Sequence, residues 1–426
     1  MVSMNSDGSR NCPNVRHLIT RVRPALYQTG NIPNFTLPKL KILSLGVNKL
    51  TGNIPPSIGQ MNQLVWLSAS FNSLEGIPTT IGSLTSLETL GLGSNKLISG
   101  SIPSEIGNCR NLKNLFLDNN KLEGSIPSSI GNLKRLRNLW LGANQLSGEI
   151  PASLGTLDSL EDLVLNVNQF SGKVPTTFNQ LKVKRLQLGT NRLTGVPNLT
   201  NVPFKDSITD VNGNRTLGGL IVNKNKLTFE SILPNISLAQ TASYRYILQD
   251  SIFKDSTIIG LAGGPLSINL RIDSAITSNS YQWFKNGKKL GNPSASNTLT
   301  INTVSFEDGG IYTCEVTNPQ APNLVLKSHA IKVMVSQKVV TLISPDGDGM
   351  NDKLDFPSVD LEKNPDNTIE IYNRWGQQVF RANPYKRDWS GQNEQGQPLP
   401  GGDYFFIMRV NVANGQIIVG SVYLQR

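Results

Sequence analysis

The stretch LKNLFLDNNKLEGSIPSSIGN, from Leu112 to Asn132, decides the fold, because the chain repeats it at a nearly fixed interval. The next copy, LRNLWLGANQLSGEIPASLGT, runs from Leu136 to Thr156, 24 residues further along. A period in this range is typical of solenoids, in which each unit buries its apolar face only by stacking on its neighbours. The asparagine of the phrase LxxLxLxxN recurs at Asn48, Asn72, Asn95, Asn120, Asn144, Asn168, Asn191 and, after a longer step, Asn225.

Each position of the unit has a predicted structural role. Leu112, Leu115 and Leu117, at the first, fourth and sixth positions, are expected to point inward from a short strand and its entry. Asn120 is expected to turn the chain and to bond backbone groups of adjacent turns as a ladder. Pro127, in the following GSIPSSIGN, is expected to set the path of the returning chain.

The phrase LxGxIPxxIGxLxxL resembles the plant-type leucine-rich repeat of receptor-like proteins. The resemblance covers about half of the chain. It implies a mainly β protein whose first part, residues 29–240, is a solenoid with a parallel sheet on its concave face. The 34-residue step that ends at Asn225 predicts an insertion around Phe204–Gly219. Residues 1–28 lack the repeat pattern and are interpreted as an atypical or wrongly assigned leader.

The outward side of this sheet is the predicted binding surface. Strand alternation turns the third, fifth, seventh and eighth positions outward, so Phe116, Trp140 and Val164 would be neighbours about 4.8 Å apart. Exposed aromatic side chains on a rigid sheet are typical anchors for protein or sugar partners. The alternative is that the rings only shield neighbouring glycines. The predicted partner-binding residues are Trp66, Phe71, Phe116, Asp118, Trp140, Asp162, Val164, Asn166 and Arg185.

Residues 241–336 are predicted to form a second module, because the leucine period gives way to strand-like alternation. A tryptophan in NSYQWFKNGKKL is followed about thirty residues later by EDGGIYTCEV, and this DxGxYxC phrase resembles the immunoglobulin fold. The resemblance implies that Tyr312 makes a corner hydrogen bond and that Trp283 packs between two sheets. The strand near PLSINLRID has no cysteine, so Cys314 has no inter-sheet partner. The module is interpreted as a β-sandwich that acts as a spacer or an adhesive domain.

Residues 337–426 carry LISPDGDGMNDKLDF, IEIYNRWGQQVF and YKRDWSGQNEQGQPLPGGDYFF in that order. This order resembles the gliding-motility-associated C-terminal domain of Bacteroidetes, a sorting signal for type IX secretion. The resemblance implies a small β-sandwich, recognition by the secretion machinery, and an extracellular or cell-surface location, attached or released. The matched motif residues are Ser344, Pro345, Gly347, Asp348, Gly349, Asn351, Asp352, Asn373, Arg374, Trp375, Gly376, Trp389 and Gly391.

The acidic residues Asp346, Asp348 and Asp352 have the alternate spacing of a calcium loop. The bidentate glutamate that such a loop needs at its twelfth position is replaced by Pro357. Local Asx turns therefore explain the cluster better than a metal ion does, and we predict no metal site.

The ends and the cysteines give further expectations. The opening MVSMNSDGSRNCPNVRHLITRVRPAL has no apolar signal-peptide core, although a sorting domain implies one upstream. We therefore expect that earlier repeats and a signal peptide are missing from this chain. No run reaches the ~20 apolar residues of a membrane span. The three cysteines fit neither a metal motif nor a disulfide framework.

The sequence predicts a non-enzyme without a cofactor. Its two histidines, His17 and His329, have no nucleophile or metal motif beside them. The carboxylates of Glu161 and Asp162 are predicted to lie on a repeat surface, without the enclosed pocket that glycoside hydrolysis needs. The net charge of +10 comes without a basic run or recognition motif, which argues against a nucleic-acid partner.

The leading interpretation is a secreted surface protein that binds a protein or glycan ligand through the concave face. Two alternatives remain open at this point. One is a structural component of a gliding or adhesion layer, and the other is a non-catalytic carbohydrate-binding accessory protein. The sequence does not name the ligand, because surfaces diverge freely over a fixed frame.

Overall fold

The computed structural model describes residues 17–19, 28–209, 215–241, 244–252, 255–356, 359, 361, 363–411 and 416–426. The chain divides into two compact units. The first comprises Met1–Asp250 with Asn318–Val325, and the second comprises Ser251–Thr317 with Leu326–Arg426. Each unit is described separately below.

Ten short strands form one all-parallel sheet, the repeat sheet, which confirms the predicted solenoid. Each unit contributes one strand, and the register places equivalent positions side by side, so Trp140 pairs with Phe116 on one side and Val164 on the other. The strands are His17–Ile19, Ile42–Ser44, Trp66–Ser68, Thr89–Gly91, Asn114–Phe116, Asn138–Trp140, Asp162–Val164, Arg185–Gln187, Gly219–Ile221 and Tyr244–Arg245.

The predicted core and ladder are both present. Leu112, Leu115 and Leu117 are fully buried. The side chain of Asn120 accepts a hydrogen bond from the backbone N–H of Asn95 (3.2 Å) and donates to the carbonyl oxygens of Leu92 and Leu117 (3.1 and 2.9 Å). Equivalent bonds recur at the other ladder asparagines, so each unit satisfies buried backbone groups of the unit before it.

The rest of each unit returns through a second strand and a 3₁₀ turn. Gly131 allows adjacent 3₁₀ turns to approach closely, because a Cβ there would lie 2.6 Å from the Cβ of Ser153. The second-row strands are Thr29–Asn31, Lys49–Gly52, Ser73–Leu74, Ser99–Gly100, Lys121–Gly124, Gln145–Glu149, Gln169–Lys173 and Arg192–Gly195. The 3₁₀ turns are Pro56–Gln60, Thr79–Ser83, Ser104–Asn108, Ser128–Asn132, Ala152–Thr156 and Thr176–Gln180.

Both ends of the array extend beyond the predicted limits. The strand His17–Ile19 pairs with Ile42–Ser44, so part of the predicted leader is a further repeat strand. At the other end Tyr244–Arg245 pairs with Gly219–Ile221, past the expected boundary at residue 240. In that last turn Gln249 takes the place of the ladder asparagine, since its amide donates to the carbonyl oxygens of Val222 and Tyr246.

The predicted insertion forms a two-stranded antiparallel hairpin. Ser207–Thr209 pairs with Arg215–Leu217, and residues 210–214 lie outside the described residues. After the hairpin the chain re-enters the repeat sheet at Gly219–Ile221 and then forms a short helix, Phe229–Ile232, and a 3₁₀ segment, Leu233–Thr241.

The second unit contains the predicted immunoglobulin-like features. Tyr312 donates a corner hydrogen bond from its hydroxyl to the carbonyl oxygen of Asp308 (2.7 Å). Trp283 is buried on the strand that pairs with the strand of Cys314, and Cys314 is a buried free thiol. The strands of this module are Ser256–Leu261, Leu266–Asn269, Ser280–Lys285, Lys288–Ser294, Thr298–Ile301, Gly310–Thr317, Val325–Lys327 and the first part of Ile331–Ile343, with a 3₁₀ turn at Phe306–Asp308.

One 13-residue strand, Ile331–Ile343, serves both modules of this unit. Its first part pairs in parallel with Ser256–Leu261 and in antiparallel fashion with Gly310–Thr317. Its last nine residues pair in parallel with Gln416–Leu424. The expected boundary between residues 336 and 337 therefore falls inside a continuous strand of a shared sheet.

The C-terminal module adds Thr368–Asn373, Gln378–Ala382, Gly402–Asn411 and Gln416–Leu424 to that sheet. Trp389 is fully buried in its core, with its ring centroid 5.9 Å from that of Tyr404. Its indole N–H donates to the carbonyl oxygen of Gln392 (2.8 Å). Over the described part of the chain, no helix has the length and apolar character needed to cross a membrane.

Candidate functional site

The outward face of the repeat sheet carries a central aromatic pair. Phe116 and Trp140 lie at equivalent positions on adjacent strands, with ring centroids 4.7 Å apart and planes tilted by 56°. Val164 follows at the same position on the next strand. All three side chains are partly exposed, whereas their inward neighbours are fully buried. We call Phe116, Trp140 and Val164 the aromatic strip.

Trp140 is fixed by a buried ion pair beside it. Its indole N–H donates to a carboxylate oxygen of Asp162 (2.8 Å). Asp162 also accepts hydrogen bonds from Nε (2.6 Å) and Nη2 of Arg185. The guanidinium carbon of Arg185 lies 5.5 Å from the centroid of the Trp140 ring, within cation–π range. These contacts restrict the ring before any ligand arrives.

For Asp162 and Arg185 the structure differs from the sequence interpretation, which predicted that both side chains contact a partner directly. Their residues are only 3% and 5% exposed. The hairpin of the insertion contacts this pair, because Thr216 accepts a hydrogen bond from Nη1 of Arg185 (2.8 Å). Sequence spacing places both residues on the outward face, but it does not show that Thr216 of the insertion bonds to Arg185. Asp162 instead bonds to the indole of Trp140, and Arg185 bonds to Asp162.

Asp118 and Asn166 occupy the seventh position, where glycine and a polar residue alternate along the array. Their side-chain oxygens lie over the glycine of the preceding unit, because a Cβ at Gly93 would be 2.8 Å from Asp118 Oδ1 and one at Gly142 would be 2.7 Å from Asn166 Oδ1. Burial raises the pKa of the Asp118 carboxyl above its ordinary value, partly offset by hydrogen bonds, one of them from Asn119. This alternation was visible in the sequence but was not used in the prediction.

Trp66 and Phe71 are the most exposed of the predicted aromatic residues, at 44% and 61%. They belong to an earlier unit, and the strand Thr89–Gly91 separates the strand of Trp66 from that of Phe116. They therefore lie apart from the aromatic strip. Phe71 has a φ of +59°, in the left-handed region, which costs a bulky residue roughly 1–2 kcal/mol. The same positive φ recurs at the equivalent position of neighbouring units, for example at Val47, Ser94 and Asn119, so this strain belongs to the turn of the repeat.

A polar row beside the aromatic strip was missed by sequence reasoning. The amide of Asn114 donates to the hydroxyl of Thr89 (3.0 Å), and the amide of Asn138 donates to Asn114 Oδ1 (2.6 Å). The signal was the run of hydrogen-bonding residues at the third position. These bonds link adjacent strands on the outward face and add to its rigidity.

The first motif of the C-terminal module forms a loop of Asx turns, as the sequence predicted. Asp346 and Asp348 each accept a hydrogen bond from the backbone N–H two residues later, at 3.1 and 2.7 Å. Asp352 accepts from the N–H groups of Gly347 and Gly349 (2.9 and 3.0 Å). Single oxygens of the three carboxylates lie within 4.8 Å of one another. The backbone N–H groups use these oxygens, which explains why three acids gather there. The remaining residues of this motif, Ser344, Pro345 and Asn351, flank the same loop, and the backbone N–H of Ser344 donates to the carbonyl oxygen of Asn351 (2.9 Å).

The other motif residues of this module lie in two places, an exposed turn and the segment around the buried Trp389. Asn373, Arg374, Trp375 and Gly376 form an exposed turn, in which the N–H of Gly376 donates to the carbonyl oxygen of Asn373 (3.0 Å). Gly391 follows the buried Trp389 and has a φ of +80°. Its carbonyl oxygen accepts from Nη2 of Arg426 (2.7 Å), which ties the end of the last strand to this segment.

These modules together define the class: a multidomain leucine-rich-repeat protein. Comparison with protein families identifies the individual domains. Residues 337–424 match the CHU_C type IX secretion signal domain, residues 251–318 match the immunoglobulin domain, and residues 39–61, 86–109, 111–133 and 135–157 match the leucine-rich repeat. The chain thus carries all three domains, and its secretion signal directs it to the cell surface or the extracellular space and implies an origin in the Bacteroidetes.

The repeat array is similar to those of plant receptors. A stretch of 73 residues is 52% identical to the LRR receptor-like serine/threonine-protein kinase GSO2 of Arabidopsis thaliana, covering 17% of this chain and 6% of that protein. The plant peptide hormone receptor RGFR1, solved with RGF2, is 36% identical over 55% of this chain and 36% of its own, with a TM-score of 0.46. The ectodomain of GASSHO1/SCHENGEN3 from Arabidopsis thaliana, solved with CASPARIAN STRIP INTEGRITY FACTOR 2, is 34% identical over 58% of this chain and 28% of its own, with a TM-score of 0.47. The chain therefore spans less than half the length of each of these relatives.

Proposed function

We propose that this protein is a non-catalytic binding protein of the cell surface, which recognises a segment of another protein through the aromatic strip. The observation that carries the proposal is the Phe116–Trp140 pair, held on a rigid sheet and braced by Asp162. Aromatic side chains that are already ordered lose little entropy on binding, and they supply much of the contact energy in protein interfaces.

The geometry favours a protein ligand over a glycan. A sugar ring stacks best on an open aromatic face, but the Trp140 ring has Arg185 5.5 Å from its centroid and Phe116 tilted against it. A tilted pair of rings instead forms a wedge that suits an apolar side chain. The polar row of Thr89, Asn114 and Asn138 lies two positions away along the same strands and is suited to hydrogen bonds with an extended peptide backbone.

The test uses the full chain, immobilised and exposed to surface proteins of bacteria and host tissue, with captured proteins quantified by mass spectrometry. The double variant Phe116→Ala/Trp140→Ala is compared with wild type and with Gln145→Ala, an exposed second-row residue. We expect the double variant alone to lose a captured protein, with at least a roughly tenfold weaker affinity when that protein is purified. Equal capture by all three proteins would contradict the proposal.

Two further measurements separate the alternatives. A glycan array on which the double variant loses a signal would move the ligand from protein to carbohydrate. Sedimentation of the wild-type chain addresses self-assembly, because a structural layer component should form oligomers at micromolar concentration. A monomer that still captures its partner supports the binding role.

A further inference from the structure

The C-terminal module contains two turns with nearly the same sequence pattern and the same internal bonding. The first is NRWGQ, residues 373–377, and the second is NEQGQ, residues 393–397. In each, the backbone N–H of glycine donates to the carbonyl oxygen of the asparagine, at 3.0 Å for Gly376 and 2.9 Å for Gly396. The two glycines have φ values of +78° and +77°.

The asparagine side chains lock both turns in the same way. Asn373 Oδ1 accepts from the N–H groups two and four residues later, each at 3.0 Å. Asn393 Oδ1 accepts from the corresponding groups at 3.0 and 2.8 Å. Each asparagine amide also donates to the side chain of the glutamine that ends its turn, Gln377 or Gln397. The second turn therefore shows what this geometry requires.

The geometry does not require tryptophan. The second turn has Gln395 where the first has Trp375, and its bonds are the same. Trp375 is 75% exposed, more than any other large hydrophobic residue in the described part of the chain. Trp375 is not one of the residues that form the module's buried hydrophobic core. Neither the formation of the turn nor the packing of the core therefore explains why this position is a tryptophan.

The ring of Trp375 lies beside a cation. The guanidinium carbon of Arg374 lies 5.1 Å from its ring centroid, within cation–π range. An exposed indole on a hydrogen-bonded turn, next to a cation, has the character of a binding anchor. The complementary surface is an apolar slot with a carboxylate near its edge, which is a feature of a folded protein.

We propose that Trp375 and Arg374 form the contact by which a protein of the type IX export machinery recognises this module. The secretion signal match covers residues 337–424 as a whole and assigns no role to single residues. The inference is independent of the aromatic strip, because it concerns export and not ligand capture.

The experiment expresses the full chain, behind an added Sec signal peptide, in a type IX-secreting bacterium. Trp375→Gln gives the first turn the residue of the second, and Gln395→Ala is the matched control in the twin turn. We expect Trp375→Gln to lower the extracellular plus surface fraction roughly tenfold, with the protein retained in the periplasm. Gln395→Ala should be exported like wild type, and Trp375→Phe should restore part of the export.

Folding is checked on the purified full-length variants. We expect Trp375→Gln to keep the wild-type Tm and far-ultraviolet circular dichroism, since its twin turn forms with glutamine. Normal export of Trp375→Gln would overturn the proposal. So would equal export defects in Trp375→Gln and Gln395→Ala, or a variant that is exported but no longer retained at the surface, because that result would assign the turn to attachment.

Discussion

The indole N–H of Trp140 donates a 2.8 Å hydrogen bond to Asp162, which lies on the next strand of the repeat sheet and is itself bonded to Arg185. Trp140 thus presents a partly exposed ring whose edge is attached to a buried ion pair. The pair connects the outward face to the hairpin through Thr216.

The first prediction concerns Asp162→Ala. Removing this carboxylate leaves the buried guanidinium of Arg185 without its counter-charge, which typically costs 3–5 kcal/mol. We expect Asp162→Ala to lower the free energy of unfolding by about 3 kcal/mol and to increase hydrogen exchange around residues 162–187. Asp158→Ala, which removes an exposed carboxylate four residues earlier in the chain, is the control and should change little. Equal effects of the two variants would contradict the bracing role.

The second prediction concerns the asparagine ladder. Asn120→Ala removes the partners of two buried carbonyl groups and one N–H group. At about 1 kcal/mol for each group, we expect a loss of roughly 3 kcal/mol in urea unfolding. Asn132→Ala changes an exposed side chain of the same unit and should leave the midpoint unchanged. A midpoint for Asn120→Ala within error of wild type would show that water replaces the ladder at no cost.

The third prediction separates backbone strain from crowding in the C-terminal module. Gly391 and Gly347 have similar φ values, +80° and +85°. A Cβ at Gly391 would lie 2.6 Å from a methyl carbon of Leu424, whereas nothing lies within 4 Å at Gly347. Both alanine variants should lose roughly 1 kcal/mol to strain, and Gly391→Ala should lose about 1–3 kcal/mol more. Equal Tm values for the two variants would mean that the Leu424 side chain moves aside without a measurable loss of stability.

The fourth prediction concerns the two buried thiols. Burial is the main cause that raises the pKa of Cys109 to about 11 and that of Cys314 to about 12, from 9.0. Because the folded state favours the neutral thiol, its contribution to stability is complete below pH 9 and is lost as the pH rises towards 11–12. At pH 8, iodoacetamide should label neither thiol in the native protein and both in urea, as judged by peptide mass spectrometry. Rapid native labelling of either thiol would contradict this burial.

Much of the fold could be predicted because a strict repeat period determines both the register of the strands and which side chains point inward or outward. The spacing of the ladder asparagines is enough to place Phe116 beside Trp140 and to bury Leu115. The first and last strands escaped prediction because their sequences depart from the pattern. The first strand, HLI, lies in a segment that lacks some of the leucines of the repeat pattern. In the last turn, Gln249 replaces the ladder asparagine and makes equivalent hydrogen bonds with its side-chain amide.

The candidate site was predicted less completely, since side-chain exposure depends on contacts that are distant in sequence. Arg185 meets Thr216 across an insertion whose path the repeat pattern does not specify. Trp375 and Trp389 are both motif tryptophans, yet one is the most exposed large hydrophobic residue described and the other is fully buried. Only tertiary packing distinguishes a residue that holds the module together from one that is free to meet a partner.

The strand Ile331–Ile343 has a mechanical consequence. It enters from the immunoglobulin-like module and runs in parallel with Gln416–Leu424, next to the end of the chain. Tension applied between residue 251 and the C-terminus would load these two strands along their length, so that their hydrogen bonds must break together and not one after another. A protein tethered by its end would then resist stretching strongly. Single-molecule pulling should show one high-force event for the second unit, and two separate weak events would rule out this load path.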